Sequence, residues 1–250
     1  MKKSEKKKKI GKDKSEVTKL IAGADEAGRG CLIGSLVISL TIIKKRNEKD
    51  LRRTGVKDSK ILSPSTRERI AKEIEKICEI YTIKITAREL NTLMKHYSLN
   101  AIEAMKIAEL ISKVGERKLN SIEKIYVDSP DSIPKKFTDR ISYYSSQKLR
   151  KLLKNKIHSA NKADVRFPIC SAASVIAKVT RDDQIKKIKH EIGEDFGSGY
   201  TSDQVTINFL EKNFENKSLQ KYLRVRWKTF QEMKKKLEFG VKQIKLEDFW

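Results

Sequence analysis

The chain has 250 residues and a formal net charge of +23, and hydrophobic and charged residues make up 38% and 36% of it. This length suits one large domain with an appendage, and the composition excludes both a chain that is disordered throughout and one embedded in a membrane. The longest apolar run covers residues 31–43 and includes polar residues, so it is too short and too polar to span a bilayer.

The N-terminal segment, residues 1–18, is predicted to be disordered, because it is rich in charge and has almost nothing to bury. The first 20 residues contain nine lysines and three acids and so contribute +6 of the net charge, which leaves +17 on residues 21–250. A lysine run with no apolar stretch after it is not typical of a signal peptide. Three widely spaced cysteines form neither a disulfide framework nor a zinc motif, which is typical of a reducing compartment. We therefore expect a cytoplasmic protein.

A body with this charge favours a polyphosphate partner, because each lysine or arginine that pairs with a phosphate releases counterions. An anionic membrane surface is a weaker alternative, since no strongly apolar amphipathic face accompanies the lysines. A lysine-rich proteome would also produce a basic chain without such a partner. Charge alone leaves these alternatives open and points first to nucleic acid.

The predicted elements begin with strands mixed with helices. Strands are predicted at residues 20–25, 36–43, 81–87, 125–128 and, with a weaker pattern, 156–160. Ser63 and Pro64 form an N-cap and first-turn pair ahead of a helical stripe. Further stripes lie at 104–111 and 172–179, and helical patterns then dominate to about residue 237. This order predicts an α/β sheet core with a helical C-terminal extension.

Four acidic residues are predicted to lie at the ends of these elements. Asp25 and Glu26 close the first strand, where Gly28 lets the backbone turn, so both can serve one site despite the alternation of strand side chains. Asp128 closes a later strand, and Asp164 comes just before the helix predicted to begin near residue 171. Carboxylate oxygens suit Mg²⁺ or Mn²⁺, and two such cations activate water for attack on a phosphodiester. Taken singly, each acid could instead start a turn or cap a helix.

The glycines that follow the first strand do not form a nucleotide-cofactor loop. Gly28, Gly30 and Gly34 differ from G-x-G-x-x-G because the last interval is one residue too long. Glycines beside a metal site can instead let the main chain approach a sugar closely. The 2′-hydroxyl of RNA is a suitable target, since it distinguishes RNA from DNA.

Six short motifs together resemble ribonuclease HII, the type 2 ribonucleases H. They are DEAGRG at 25–30, DSK at 58–60, YVD at 126–128, KAD at 162–164, SAASVIAKVTRD at 171–182 and GSGY at 197–200. Their order and approximate spacing are those of the family, over residues 20–230. The resemblance implies a ribonuclease H-like mixed five-stranded sheet flanked by helices, with a helical C-terminal extension.

The resemblance also implies roles for individual residues. The metal-binding carboxylates, for two divalent cations, Mg²⁺ or Mn²⁺, fall on Asp25, Glu26, Asp128 and Asp164. The substrate-binding residues fall on Gly28, Arg29, Gly30, Lys60 and Tyr200. The glycine-arginine-glycine stretch would contact the 2′-hydroxyl, Lys60 would lie near the scissile phosphate, and Tyr200 would pack against the sugar. The implied activity is cleavage on the 5′ side of ribonucleotides in RNA/DNA hybrids and at single ribonucleotides in duplex DNA, by a monomer.

Some positions around these motifs depart from the family pattern. Cys31 and Ser35 stand where prolines are frequent, and Thr201 and Gln204 also replace common prolines. Arg226 occupies a position that is usually serine. We expect these changes to loosen loops or to alter a phosphate contact.

The chain ends KQIKLEDFW, which resembles the peptide by which many replication and repair enzymes bind the sliding clamp. The matching residues have the spacing Q-x-x-L-x-x-aromatic-aromatic and are Gln243, Leu246, Phe249 and Trp250. Buried aromatic anchors are strong interface hot spots. The alternative is that the two aromatic residues pack on the enzyme's own surface. The predicted division is thus a tail at 1–18, a catalytic domain at 19–190, a helical extension at 191–240 and a clamp-binding peptide at 241–250.

Two other classes of function remain as alternatives. A non-catalytic basic protein that recognises hybrid duplexes by shape explains the charge but gives no reason for the four acids. Another nuclease or strand-transferase of the same sheet type shares the acids without needing the glycine motif and Tyr200.

Overall fold

The computed structural model describes residues 19–56 and 62–236, and its centre is a five-stranded sheet in the order β3-β2-β1-β4-β5. The strands are β1 (Leu20–Ala27), β2 (Leu36–Lys44), β3 (Glu79–Ile85), β4 (Ile122–Asp128) and β5 (Ile157–Ala160). The pairs β1–β2 and β2–β3 are antiparallel, whereas β1–β4 and β4–β5 are parallel. The predicted mixed five-stranded sheet is therefore confirmed.

Helices cover both faces of this sheet. They are α1 (Glu48–Arg53), α2 (Pro64–Ile77), α3 (Ala87–Leu93), α4 (Leu99–Ser112), α5 (Glu116–Ser121), α6 (Pro134–Tyr144), α7 (Gln147–Leu153), α8 (Ala163–Arg166), α9 (Pro168–Ile192), α10 (Gln204–Asn213) and α11 (Lys217–Gln220). Residues 228–236 are also helical. Helices thus follow the last strand without interruption by further strands in the described part of the chain, as the sequence predicts.

Local capping explains where several elements begin and end. The Ser63 hydroxyl accepts a hydrogen bond from the Thr66 N–H, 3.2 Å away, so α2 begins at Pro64 as predicted. The strand predicted at 81–87 ends at Ile85 instead, because the Thr86 hydroxyl caps α3 by accepting from the Glu89 N–H. Asp164 lies just ahead of the long helix α9, as predicted, but α9 begins at Pro168 rather than near residue 171, and Asp164 itself belongs to the short helix α8.

Two hydrophobic clusters sandwich the sheet. One face packs on α4 and α6, where the cluster includes Ile107 and Phe137. The other face packs on α1, α2 and α9, where the cluster includes Ile74 and Val175. All residues of β2 from Leu36 to Ile43 are buried, because helices cover this strand on both sides.

The C-terminal part packs against the glycine-rich stretch between β1 and β2. Leu32 and Ile33 share a hydrophobic cluster with Leu210, Leu223 and Phe230. Main-chain bonds strengthen this contact, since the Arg224 N–H donates to the Leu32 carbonyl at 2.9 Å. The predicted boundary at 190/191 falls inside α9, and the division into domains stays a prediction.

The described residues add two simpler findings. Cys31, Cys78 and Cys170 are all buried and free, so the prediction that the cysteines form no disulfide framework agrees with the structure. No helix in the ranges 19–56 and 62–236 has the length and apolar character needed for a bilayer crossing.

We expect Gly23→Ala to destabilise the protein by about 3 kcal/mol or more. A Cβ at this position would collide with the main chain of Ile169 and lie 2.6 Å from the Cys170 nitrogen, so α9 would have to move away from β1. Denaturant unfolding measures the loss. Gly193→Ala is the matched control, because a Cβ there meets nothing within 4 Å and only its left-handed conformation, with φ 78° and ψ 7°, costs energy, about 1 to 2 kcal/mol. Equal losses in the two variants would contradict this packing argument.

Candidate active site

Parallel pairing of β1 with β4 brings three predicted carboxylates to one edge of the sheet. The ladder between these strands ends at the pair Ala24–Val127, so Asp25 and Glu26 on β1 and Asp128 on β4 lie just beyond it. Each of the three acids offers a carboxylate oxygen, and these atoms lie within 4.8 Å of one another. We call Asp25, Glu26 and Asp128 the carboxylate group.

Asp164 is buried on α8 and is not a member of this close group. The Ala163 N–H donates to Asp128 Oδ1 at 2.5 Å, which ties the end of β4 to the segment that carries Asp164. The charges of Asp25, Asp128 and Asp164 all add to the burial that raises the pKa of the Cys170 thiol. Asp164 therefore lies in the same neighbourhood, and its role as a fourth metal ligand stays a prediction.

Burial and mutual repulsion favour the protonated forms of Asp25 and Glu26. Burial raises the pKa of Asp25 well above its ordinary value, and the charges of Glu26 and Asp128 raise it further. A hydrogen bond from Ser174 acts in the opposite direction. Burial also raises the pKa of Glu26 to about 8, with a further contribution from Asp128. Three crowded carboxyl groups, two of which resist ionisation, are a suitable set of ligands for divalent cations, whose charge would offset the repulsion.

One acidic residue near the group was missed by the sequence reasoning. Glu103 lies on α4, is only 1% exposed, and adds to the rise in the pKa of Glu26. Burial raises the pKa of Glu103 itself to about 7, while the neighbouring Arg29 guanidinium acts to lower it. The available signal was a carboxylate inside an apolar helical run, between Ile102 and Ala104.

The glycine motif lies against Tyr200. A Cβ at Gly30 would lie 3.8 Å from Tyr200 Cδ1. The main chain of Gly28 makes a hydrogen bond to Tyr200. This bond acts to lower the pKa of the tyrosine, whereas burial raises it. The Arg181 guanidinium stacks over the tyrosine ring, 4.5 Å from its centroid. The structure therefore brings together residues 28–30 and Tyr200, which the sequence analysis predicts to bind the same sugar.

Three departures from the family pattern supply hydrogen-bond donors that a proline lacks. The Cys31 N–H donates to the Gly28 carbonyl at 3.4 Å, and the Thr201 N–H donates to the Gly30 carbonyl at 3.3 Å. The Ser35 N–H donates to Gln184 Oε1 at 3.1 Å, and the Ser35 hydroxyl accepts from Gln184 Nε2 at 2.7 Å. The bonds of Thr201 and Ser35 tie the glycine stretch to its surroundings, and the effect of these departures on loop mobility or on a phosphate contact stays a prediction.

The other two departures lie at the surface. Gln204 begins α10, and its Nε2 donates to Asn208 Oδ1 at 2.7 Å. Arg226 is exposed. Nothing in the structure explains why these residues replace a proline and a serine.

Several predicted site residues lie outside the described residues. They are Lys60 and the four residues of the C-terminal peptide, Gln243, Leu246, Phe249 and Trp250. The N-terminal tail, residues 1–18, also lies outside them. Their roles stay predictions.

Comparisons with known proteins agree with this geometry. The family model of ribonuclease HII matches residues 22–230. Ribonuclease HII of Pyrococcus horikoshii is 38% identical over 231 residues, which cover 92% of this chain and 98% of that protein. The PCNA:RNase HII complex from Archaeoglobus fulgidus gives a TM-score of 0.71 at 38% identity, over 84% of this chain and 95% of that one.

A more distant likeness extends the comparison of folds. Bst-RNase HIII in complex with Mn²⁺ gives a TM-score of 0.72 over 86% of this chain and 69% of that one. At 16% identity this likeness concerns the fold alone. The ribonuclease H-like fold implied by the sequence motifs is confirmed by these likenesses together.

We expect Mn²⁺ to raise the melting temperature, by an amount that grows from about pH 5 to pH 8. Burial raises the pKa of Glu26 from 4.5 to about 8, so this carboxyl holds a proton below that pH and must release it to bind a cation. Without the cation, stability should fall as the pH rises through this range, because the folded protein binds the proton more tightly than the unfolded chain does. Melting curves at several pH values, with Mn²⁺ and with EDTA, measure both effects.

Asp128→Asn should reduce both effects, because it removes one charge from the carboxylate group. Asp139→Asn makes the same chemical change at a side chain of α6 that is 61% exposed, and should leave both effects unchanged. An undiminished response to Mn²⁺ in Asp128→Asn would contradict the assignment of the cation site.

Proposed function

The chain belongs to the ribonuclease HII family, and from this premise we propose that it cuts on the 5′ side of ribonucleotides, both in RNA/DNA hybrids and at single ribonucleotides in duplex DNA. As a member of that family it is an endoribonuclease of the ribonuclease H class. The observation that carries the finer proposal is the carboxylate group, whose oxygens lie within 4.8 Å of one another beside the glycine motif.

Two divalent cations, Mg²⁺ or Mn²⁺, are the cofactors that this chemistry requires. The residues that would hold them are Asp25, Glu26, Asp128 and Asp164. When bound, such cations lower the pKa of water and offset the charge of the scissile phosphate. The carboxyl groups contribute by releasing protons on binding, which the raised pKa values of Asp25 and Glu26 make a pH-dependent step.

The glycine motif and Tyr200 supply recognition of the sugar. The main chain of Gly28, Arg29 and Gly30 tests for the 2′-hydroxyl, and Tyr200 packs against the ribose. The Arg181 stack on the tyrosine ring supports this arrangement, because it limits the orientations open to the ring. Lys60, outside the described residues, is assigned to the scissile phosphate. The basic surface holds the sugar-phosphate backbone without reading the bases.

The C-terminal peptide at 241–250 is assigned to a sliding clamp. Its Q-x-x-L-x-x-aromatic-aromatic spacing supports this assignment. A second support is the relative from Archaeoglobus fulgidus, 38% identical, whose structure is a complex with PCNA. Packing of Phe249 and Trp250 on the enzyme itself is the competing arrangement.

We expect Asp128→Asn to lower incision at a single embedded ribonucleotide by more than about 100-fold while leaving duplex affinity within about threefold, since the basic surface binds the backbone. The assay uses a duplex with one ribonucleotide, with Mg²⁺ or Mn²⁺, and binding is measured separately. Asp139→Asn is again the matched control. Binding without incision by the wild-type protein would favour the non-catalytic alternative, and cutting of an all-DNA duplex would favour a general nuclease.

We expect removal of residues 243–250 to weaken incision on clamp-loaded DNA by about tenfold or more, because the peptide supplies a second point of attachment. Turnover on short oligonucleotides should not change. Lys245→Ala, within the same peptide but outside the four predicted anchors, should behave like the wild type in both assays. Equal loss on both substrates would indicate that the aromatic residues pack on the enzyme.

A further inference from the structure

Glu103 is a buried carboxylate that the proposed reaction does not use. It lies on α4 with 1% of its surface exposed and is not a member of the carboxylate group. A buried charge is costly unless it is paired, so its partner indicates its role. That partner is Arg29, the central residue of the glycine motif.

Two residues of α4 hold the Arg29 guanidinium. Glu103 Oε2 accepts from Nη1, and Asn100 Oδ1 accepts from Nη2 at 2.5 Å. Asn100 and Glu103 are three positions apart, which places them on the same face of the helix. The guanidinium is thereby held against α4, and the Arg29 side chain is 35% exposed.

The main chain of Arg29 is held from the other side. Arg224 Nη1 donates to the Arg29 carbonyl at 3.1 Å, and Arg224 Nε donates to the Gly34 carbonyl at 2.9 Å. Arg29 is thus fixed at both ends, by its side chain and by its carbonyl. Its position sets that of Gly28 and Gly30, which are its chain neighbours.

The same contacts extend to the loop after β4. Asn100 Nδ2 donates to Asp131 Oδ1 at 2.5 Å, and Arg140 Nε donates to Asp131 Oδ2 at 3.1 Å. Asp131 is three residues beyond Asp128. The start of α4 therefore connects the loop that follows Glu26 with the loop that follows Asp128.

We propose that Glu103 is a positioning residue that acts through Arg29: by pairing with the guanidinium it fixes the main chain of residues 28–30 and so sets the discrimination between ribose and deoxyribose. This inference rests on the proposed function, in which that main chain reads the 2′-hydroxyl. Glu103 does not touch the substrate in this role.

The test replaces Glu103 by methionine and by glutamine. Glu103→Met keeps the length of the side chain but removes one of the two acceptors for Arg29, so that Nη1 of the partly exposed guanidinium can then turn to water. Glu103→Gln keeps an acceptor oxygen of the same reach. Glu109→Met is the matched control, because Glu109 lies on the same helix at the surface and pairs with Lys106 and Lys113.

Discrimination is measured as the ratio of two kcat/KM values. One is for a duplex that carries a ribonucleotide at the cleavage site, and the other is for a duplex that carries a 2′-fluoro nucleotide there, which lacks the hydroxyl as a deoxynucleotide does. Glu103→Met should lower this ratio by about tenfold, through kcat on the ribonucleotide, with KM for the duplex unchanged. Glu103→Gln should restore most of the ratio, and Glu109→Met should leave it unchanged. A fall in all rates at a constant ratio, with a higher requirement for Mn²⁺, would overturn the proposal and place Glu103 with the metal ligands.

A double variant tests whether Glu103 acts through Arg29. Arg29→Met combined with Glu103→Met should lose no more than Arg29→Met alone, whereas an additive loss would overturn the proposal. Binding of the same duplexes without divalent cation provides a readout that does not require incision. Failure of the wild type to incise would refute the proposed function, while loss of the ribose preference in binding by Glu103→Met, but not by Glu103→Gln, would still support this inference.

Discussion

Repulsion among the carboxyl groups of Asp25, Glu26 and Asp128 is the constraint on which the rest of the site depends. One oxygen of each lies within 4.8 Å of the others, so the surrounding fold has to hold together acidic groups that repel one another when they ionise. Parallel pairing of β1 with β4 fixes the backbone positions of the three acids. Helix α9 packs on β1, and its residue Ser174 makes a hydrogen bond to Asp25. Close approach of α9 requires the absence of a side chain at Gly23.

The site also explains why a basic protein carries acids in its most distinctive loop. The body beyond residue 20 has a net charge of +17, which favours contact with a polyanion at many points. When ionised, the carboxylate group by itself repels that polyanion locally. The basic surface can therefore bind the polyanion, but the polyanion can approach the carboxylate group closely only when cations are bound there. This need for acidic groups distinguishes this family of enzymes from a basic scaffold, which would bind the polyanion equally well without acids.

The sequence predicted the sheet better than the smaller helices, for reasons that particular residues illustrate. Strand β2 is dense in β-branched residues, and Asp25 and Glu26 were placed correctly at the end of β1 because Gly28 marks the turn after it. The capping pattern at Thr86 and Glu89 was overlooked, so β3 was extended too far. The place of Glu103 between Ile102 and Ala104 marked it as a carboxylate in an apolar helical run, but its partner could not be predicted, because Arg29 lies 74 positions away in the sequence. Lys60 and the C-terminal peptide lie outside the described residues, where the structure offers no test.

The hydrophobic cluster that joins Leu32 and Ile33 to Leu223 and Phe230 has a consequence for how the enzyme unfolds and evolves. Opening the C-terminal extension exposes the apolar side chains of the stretch next to the glycine motif, so the two segments should protect their amides from solvent exchange as one cooperative unit. Substitutions in the extension can therefore disturb the stretch next to the glycine motif without lying in it. The extension and the stretch that carries Leu32 and Ile33 therefore have to match each other in shape for either to stay packed.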